Sequence, residues 1–186
     1  MITLTGKKIS EGIAIGKLSL YKRDIKEIKR IYVKDIEKEV ARFQKAKDKA
    51  FMELKVMHTS SIKEVGEANA AIFEMQQQIL EDEEFVGKIT NIILEEKLNA
   101  EFAVSHAAEE LIKNGPEEDK NYLKGHDADI RDVAIRLIRI LSRSWKDRLL
   151  SDEPFILAAS ELYPSEAMQL EKSKVLGFVT RYGTIN

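Results

Sequence analysis

Residues 35–58, DIEKEVARFQKAKDKAFMELKVMH, carry the strongest structural signal in this chain. Apolar residues recur there every three or four positions, with Lys, Glu, Asp and Arg between them, as on one face of an amphipathic helix. The apolar positions are Ile36, Val40, Phe43, Ala46, Ala50, Leu54 and Met57. The pattern predicts a long helix from Asp35 that ends at a break formed by Ser60-Ser61 and Gly66.

Helical spacing continues towards the C-terminus, and it predicts four more helices. The second covers residues 67–80, and the third covers 82–97 with Val86, Ile89, Ile92 and Ile93 inward. Asn99 is the expected N-cap of the fourth, which Asn114-Gly115-Pro116 ends. The last begins after Pro116, and its apolar seam is Ile130, Val133, Leu137, Leu141 and Trp145.

Both ends of the chain have β character. Strands are predicted at 2–4, 12–21, 154–159 and 175–180, with a short helix over 164–170. Neither end alone has enough strands for a stable sheet, so the two ends are expected to pair. The predicted fold is α+β and mostly helical: a long-helix bundle, residues 32–151, inserted into an incomplete α/β lobe made of residues 1–31 and 152–186.

Composition narrows the classes of function. The 186 residues include no cysteine, which excludes disulfides and zinc–thiolate sites and favours the cytoplasm. A formal net charge of -2 gives no indication of nucleic-acid binding. The sequence contains neither a signal-peptide pattern nor an apolar run long enough for a membrane span.

Four stretches, in this order along nearly the whole chain, together resemble enzyme I of the phosphoenolpyruvate:sugar phosphotransferase system. They are Ser10–Lys17 (SEGIAIGK), Ala71–Glu74 with Ile79–Glu84 (AIFE and ILEDEE), Asp127–Asp132 (DADIRD), and Ile156–Glu166 with Val175–Thr180 (ILAASELYPSE and VLGFVT). Glu11 stands where the family usually has proline. The helical subdomain of that family docks the small carrier protein HPr, and its α/β lobe carries a phosphohistidine.

The resemblance implies where the chemistry takes place. In the family, a histidine shortly after the VLGFVT strand accepts phosphate from phosphoenolpyruvate and passes it to HPr. We therefore expect the phosphoacceptor just beyond Asn186, no catalytic residue in this chain, and inactivity of the chain alone. Phosphoenolpyruvate and magnesium are expected to bind through a C-terminal domain outside it.

The resemblance also suggests residues that contact HPr. Glu67, Glu74, Glu83 and Glu84 match acidic positions of the docking face, with Ile79 and Leu80 as apolar contacts. His126 lies where the family commonly places an arginine at the carrier interface. The resemblance places Tyr163 near the active site, at a position where the family usually has threonine. Tyr163 is expected either to take part in the site through its hydroxyl or only to pack.

Each of these residues also has a structural interpretation. Acidic residues at the start of a helix are favoured by its dipole, and a charged face is often only solvated. His58 and His106 are interpreted as surface or packing histidines, and a metal site at Asp127 and Asp129 is disfavoured because helical spacing separates them. Two alternative functions stay open: a helical interaction module without catalysis, and a relative of pyruvate phosphate dikinase or phosphoenolpyruvate synthase.

Overall fold

A computed structural model describes residues 5–21, 28–114, 126–142, 153–168, 170–171 and 173–182. In chain order, the elements are β1 (Lys17–Tyr21), α1 (Ile36–Val65), α2 (Glu67–Glu81), α3 (Glu83–Glu96), α4 (Ala100–Asn114), α5 (Asp127–Ser142), β2 (Phe155–Ala159), α6 (Pro164–Ala167) and β3 (Val175–Thr180). A mostly helical chain with a small parallel sheet confirms the predicted fold class. None of the described helices is long and apolar enough to cross a bilayer.

Contacts divide the chain into two units, one made of Met1–Arg23 with Asp147–Asn186 and one of Asp24–Lys146. The predicted boundaries at 31/32 and 151/152 differ by a few residues. Ile31, which we assigned to the α/β lobe, donates its backbone N–H to Asn99 in the helical unit at 2.9 Å. The exact domain limits stay a prediction.

Helix α1 is the framework of the helical unit. Asp35 caps it, because its carboxylate accepts the backbone N–H of Lys38 at 3.0 Å. Phe43, Ala50 and Leu54 are fully buried along its inner face. The break predicted at Ser60-Ser61 was wrong: Ser61 is also fully buried, so it continues the packed face and the helix extends to Val65.

Two short junctions shape the following helices. Gly66, at φ 84° and ψ 166°, separates α1 from α2 with a backbone conformation that is essentially reserved for glycine. Asp82 separates α2 from α3, and its carboxylate caps α3 by accepting the N–H of Phe85 at 2.8 Å. Phe85, rather than the predicted Val86, joins Ile89, Ile92 and Ile93 in the core.

A polar cluster fixes the entry into α4, but differently from the prediction. Glu39, on α1, accepts the N–H of Ala100 at 2.7 Å, so a side chain from another helix caps α4. The side-chain oxygen of Asn99 instead accepts from Ile31. Arg42 joins Glu39 to Glu101, with both ion pairs at 2.6 Å. Asn99 thus occupies the predicted N-cap position, and its carbonyl accepts the N–H of Ala103 at 3.1 Å. Its side chain does not cap the helix as predicted, because the side-chain oxygen holds the incoming chain.

The other unit contains a parallel sheet in the order β1-β2-β3 among the described residues. Lys17–Tyr21 pair with Phe155–Ala159, and β2 pairs in turn with β3, with an irregularity between Phe155 and Ile156. The two chain ends therefore pair as expected. The predicted strand over 12–21 is regular only from Lys17, and the helix predicted over 164–170 is regular over Pro164–Ala167.

Some predictions concern residues outside the described ranges. They are the strand at 2–4, the start of the last helix after Pro116, the inward position of Trp145 and the turn ending at Asn186. Within the described part of that last helix, Ile130, Val133, Leu137 and Leu141 are buried as the spacing predicted.

Candidate functional site

Helix α2 presents a row of carboxylates to solvent. Glu67, Glu74 and Glu81 are spaced seven residues apart, close to two helical turns, and all three are exposed. Ala70, Phe73, Gln76, Ile79 and Leu80 bury the opposite side of the helix. The row arises because the apolar and acidic residues of α2 each recur at helical spacing, on different faces.

The carboxylate row continues into the first turn of α3. Glu83 and Glu84 are exposed there, beside the helix N-terminus, whose dipole favours negative charge. Lys88 approaches Glu84 only loosely, at 3.9 Å. An open recess of about 510 Å³ lies at the junction, lined by Gln78, Glu81, Asp82 and Glu83. We call Glu67, Glu74, Glu81, Glu83 and Glu84 the acidic surface.

The structure does not bring every predicted contact residue to that surface. Ile79 and Leu80, which we predicted as apolar contacts, have relative exposures of 0% and 1%. They pack into the core because they continue the buried face of α2. The prediction that Ile79 and Leu80 are surface contacts was therefore wrong.

Other apolar groups border the acidic row. Ala68 and Ala71 are exposed, and Met75 is half-buried. These residues follow one another at spacings of three and four, so they form a narrow strip beside the carboxylates. These residues were not among the predicted contacts, although their positions on the helix, turned away from the buried Phe73 and Leu80, distinguish them in the sequence. Methionine adapts to irregular partner surfaces, which makes Met75 the natural apolar contact in this strip.

His126 is connected to α2 through a polar network at the start of α5. Its Nδ1 lies 2.9 Å from an oxygen of Asp129. The amide nitrogen of Gln76, on α2, donates to Asp132 at 3.0 Å and lies 3.5 Å from Asp129. The imidazole remains about one-third exposed. His126 is thus held by a carboxylate and open to solvent on its other side.

Below this network, an arginine links α5 to α1. Arg136 is almost completely buried, and its guanidinium donates to Glu53 at 2.7 Å and to the sulfur of Met57 at 3.2 Å. Arg139 reaches the same carboxylate at 2.6 Å. Burial, followed by repulsion from Arg139, lowers the pKa of Arg136. These contacts hold the helices that support the acidic surface.

In the sheet unit, Tyr163 is buried, with 5% relative exposure. It precedes the single turn of α6, and its backbone N–H donates to Glu166 at 2.8 Å. The Tyr21 hydroxyl donates to the other oxygen of Glu166, also at 2.8 Å. Glu166 thus joins β1 to α6 and supports Tyr163 through the backbone. The location of Tyr163 near an active site stays a prediction.

The remaining histidines have simple surroundings. His58 is partly exposed on α1. His106 stacks on Phe102, with ring centroids 5.6 Å apart, and lies 3.7 Å from Glu110. Within the part of the chain that the structure describes, no three carboxylate or imidazole groups converge closely enough for a metal ion.

The geometry of the helical unit suits binding rather than bond chemistry. An open array of carboxylates next to small apolar side chains attracts and orients a basic surface. Exposed carboxylates of this kind affect the association rate more than the affinity. Such a surface allows a partner to arrive quickly and to leave.

Comparison with known proteins gives consistent results. Residues 5–125 match the family model described as PEP-utilising enzyme, N-terminal. The chain is 32% identical to the phosphoenolpyruvate-protein phosphotransferase of Borreliella burgdorferi, over 98% of its own length, and 37% identical to that of Haemophilus influenzae, over 97%. It spans about a third of the length of these relatives, 32% in both cases.

Solved structures share the fold. A solution NMR structure of an Enzyme I protein superposes with a TM-score of 0.71 at 31% identity, and the match covers 92% of this chain and 71% of that one. The N-terminal domain of Enzyme 1 - Nitrogen superposes with a TM-score of 0.68 at 23% identity, covering 96% and 74%. The second likeness shows the fold alone.

Proposed function

Because the chain belongs to the family of PEP-utilising enzymes and corresponds to their N-terminal part, we propose that it is the carrier-docking part of a phosphoenolpyruvate-protein phosphotransferase. The whole protein would move phosphate from phosphoenolpyruvate through a histidine to HPr during sugar uptake in the cytoplasm. The acidic surface of this chain would receive HPr. Phosphoenolpyruvate and magnesium would bind elsewhere in the whole protein.

The acidic surface is the observation that carries this proposal. Five exposed carboxylates lie on two consecutive helices, with Ala68, Ala71 and Met75 beside them. A partner that fits this array needs basic side chains around a small apolar patch. The relatives named phosphoenolpyruvate-protein phosphotransferase act on a protein, so a protein-binding face is required of the family.

His126, at the start of α5, is proposed as a further polar contact for the carrier. Asp129 orients its ring through Nδ1, which leaves Nε2 for a partner. Imidazole offers fewer donors than a guanidinium, so His126 would bind less strongly than an arginine at the same place.

The proposal predicts that charge reversal on the acidic surface weakens HPr binding. Substituting Glu83→Lys together with Glu84→Lys should reduce the association rate at least tenfold at low salt, because the attraction would become repulsion. Stopped-flow mixing with HPr, repeated at increasing ionic strength, measures this effect. The difference between the variant and the parent chain should shrink as salt screens the charges.

The matched control reverses two exposed carboxylates away from the acidic surface. Glu95, near the end of α3, and Glu109, on α4, supply the same charge change. Thermal unfolding of both variants checks that each is folded. Equal slowing in the control, or unchanged binding by the Glu83→Lys/Glu84→Lys variant, would refute the proposed docking surface.

The alternative of a binding module without catalysis differs from a phosphotransferase in what the gene encodes. A phosphotransferase needs a phosphoacceptor histidine, which we propose is encoded just after Asn186. A binding module without catalysis needs none. Reading the codons after Asn186 separates them: a Ser-His-Thr-like continuation supports the transferase, and a stop codon at that point would exclude it for this gene product.

A further inference from the structure

The solvent side of α1 is basic, unlike the acidic surface of α2 and α3. Five exposed lysines follow this side, and two exposed apolar residues, Met52 and Val56, lie midway along it. The lysines are Lys38, Lys45, Lys49, Lys55 and Lys63. We call these seven residues the lysine ridge.

The ridge follows almost the whole length of α1. At 1.5 Å per residue, the distance from Lys38 to Lys63 is about 38 Å. Lys45, Lys49, Met52, Val56 and Lys63 follow one another at helical spacing, so they point to the same side. The inner residues of α1 occupy the other side and face the bundle.

Four of the ridge lysines form no ion pair with a described residue. Among the residues that the structure describes, no carboxylate lies within ion-pair distance of Lys45, Lys49, Lys55 or Lys63. Asp48 is the one exposed carboxylate in the described stretch from Lys45 to Lys63. Glu53 is turned inward and paired with Arg136.

Charge is segregated strongly between the helices. Helix α1 carries seven Lys or Arg and five Asp or Glu residues. The stretch Glu67–Glu96 carries eight Asp or Glu residues and one Lys. A charge is screened beyond about 8 Å at physiological ionic strength, which is less than the diameter of one helix, about 10 Å. The carboxylates of α2 and α3 therefore do not cancel the ridge.

We propose that the lysine ridge binds an anionic lipid surface. Such a surface offers diffuse negative charge that Lys38, Lys45, Lys49 and Lys63 face together and that the flexible Lys55 reaches from their flank. Clusters of this size on a helix suffice for peripheral binding. Met52 and Val56, 58% and 63% exposed, protrude and enter the headgroup layer. An acidic protein partner fits less well, because lysine is depleted from protein interfaces and the ridge has none of the Trp, Tyr or Arg residues that usually anchor them.

Vesicle sedimentation tests this proposal directly. The chain is mixed with vesicles of phosphatidylcholine alone or with vesicles that also contain about 30% anionic phosphatidylglycerol, which gives them a negative surface potential. Binding should require phosphatidylglycerol and disappear at high salt. Substituting Lys45→Glu, Lys49→Glu and Lys55→Glu together should lower the partition coefficient by at least about 100-fold, because each lysine near the surface contributes about fivefold and the new carboxylates add repulsion.

A matched variant reverses three exposed lysines away from α1, Lys29→Glu, Lys97→Glu and Lys113→Glu. It should retain most of the binding, and circular dichroism verifies that both variants are folded. No binding to anionic vesicles at low salt would overturn the proposal. Equal losses in the two variants would also overturn it, and so would binding to an acidic polypeptide without binding to vesicles.

Discussion

At the residue scale, the side chain of Arg42 connects three helices of the helical unit. Its guanidinium binds Glu39 on α1, Glu101 on α4 and the backbone carbonyl of Leu141 on α5. The hydrogen bond to Glu101 raises the pKa of Arg42 against the effect of burial. Burial pushes the pKa of Glu101 up, but the hydrogen bonds from Arg42 and Asn99 hold it below its ordinary value.

Glu101→Gln should therefore destabilise the chain in a pH-dependent manner. At neutral pH we expect a loss of about 2 kcal/mol in the free energy of unfolding, because a charge-assisted hydrogen bond is replaced by a neutral one. A carboxylate with a lowered folded pKa stabilises above its unfolded pKa, near 4.5. The difference should thus shrink as pH falls below about 4.5, through the folded pKa.

Urea unfolding at several pH values measures this difference. Glu96→Gln is the control, since Glu96 forms an exposed pair with Arg30 at 3.2 Å. Exposed pairs contribute little, so the control should change stability by less than about 1 kcal/mol. A loss for Glu101→Gln that persists undiminished down to pH 3 would contradict the assignment.

At the element scale, the two junctions of the helical unit work by different means. The α2–α3 junction uses a side chain, because Asp82 caps the new helix. The α1–α2 junction uses backbone conformation alone: Gly66 forms no side-chain cap, and open space surrounds the position of a Cβ atom. The cost of a larger residue there is therefore purely conformational.

The pair Gly66→Ala and Gly87→Ala isolates that cost. Gly66→Ala should destabilise by about 1–3 kcal/mol, because φ 84° with ψ 166° strains an L-residue. Gly87 lies inside α3 with open space around it, so alanine there should stabilise by about 1 kcal/mol through helix propensity. Chemical denaturation of both variants provides the comparison. The same sign for both changes would refute the strained-junction account.

Helical periodicity predicted the helices well, but it could not rank the competing roles of single residues. Ser61 looked like a breaker because its hydroxyl favours caps and turns, whereas packing against the bundle retained it in the helix. Asn99 looked like a cap, yet a carboxylate 60 positions away provides the cap. Ile79 and Leu80 belong to the ILEDEE motif that suggested the docking face. Their inward direction becomes clear only when their angular position on α2 is compared with that of the acidic row. Long-range partners are absent from local sequence patterns.

At the scale of the whole molecule, the sheet unit exposes much of its aliphatic surface. Leu18 and Leu20, on β1, are 65% and 68% exposed. Val179, on β3, is 62% exposed and lies in line with Leu20, because both residues pair with Ala158 of β2. Parallel sheets normally bury both faces. Contiguous apolar surface of this kind promotes association or partner binding.

Polar substitution on that surface should be tolerated, unlike substitution beneath it. Leu18→Thr with Leu20→Thr should change the free energy of unfolding by less than about 0.5 kcal/mol and lower the fluorescence of a hydrophobic dye. Leu157→Thr, at a fully buried position of β2, should cost about 3 kcal/mol. Unfolding by urea and dye titration report both effects. A large destabilisation by the double variant would show that Leu18 and Leu20 are packed in solution.

The pairing of β1 with β2 has a consequence for the order of events at the ribosome. Lys17 and Glu153, which form an ion pair at the start of these strands, are 136 residues apart. At synthesis rates of about 5–20 residues per second, roughly 7–27 seconds pass between the synthesis of the first strand and that of its neighbour. The helices between them have mostly local contacts, and such contacts form fast. The helical unit would thus fold on the nascent chain while the apolar strand β1 is still unpaired. We therefore expect chaperones to bind β1 during translation.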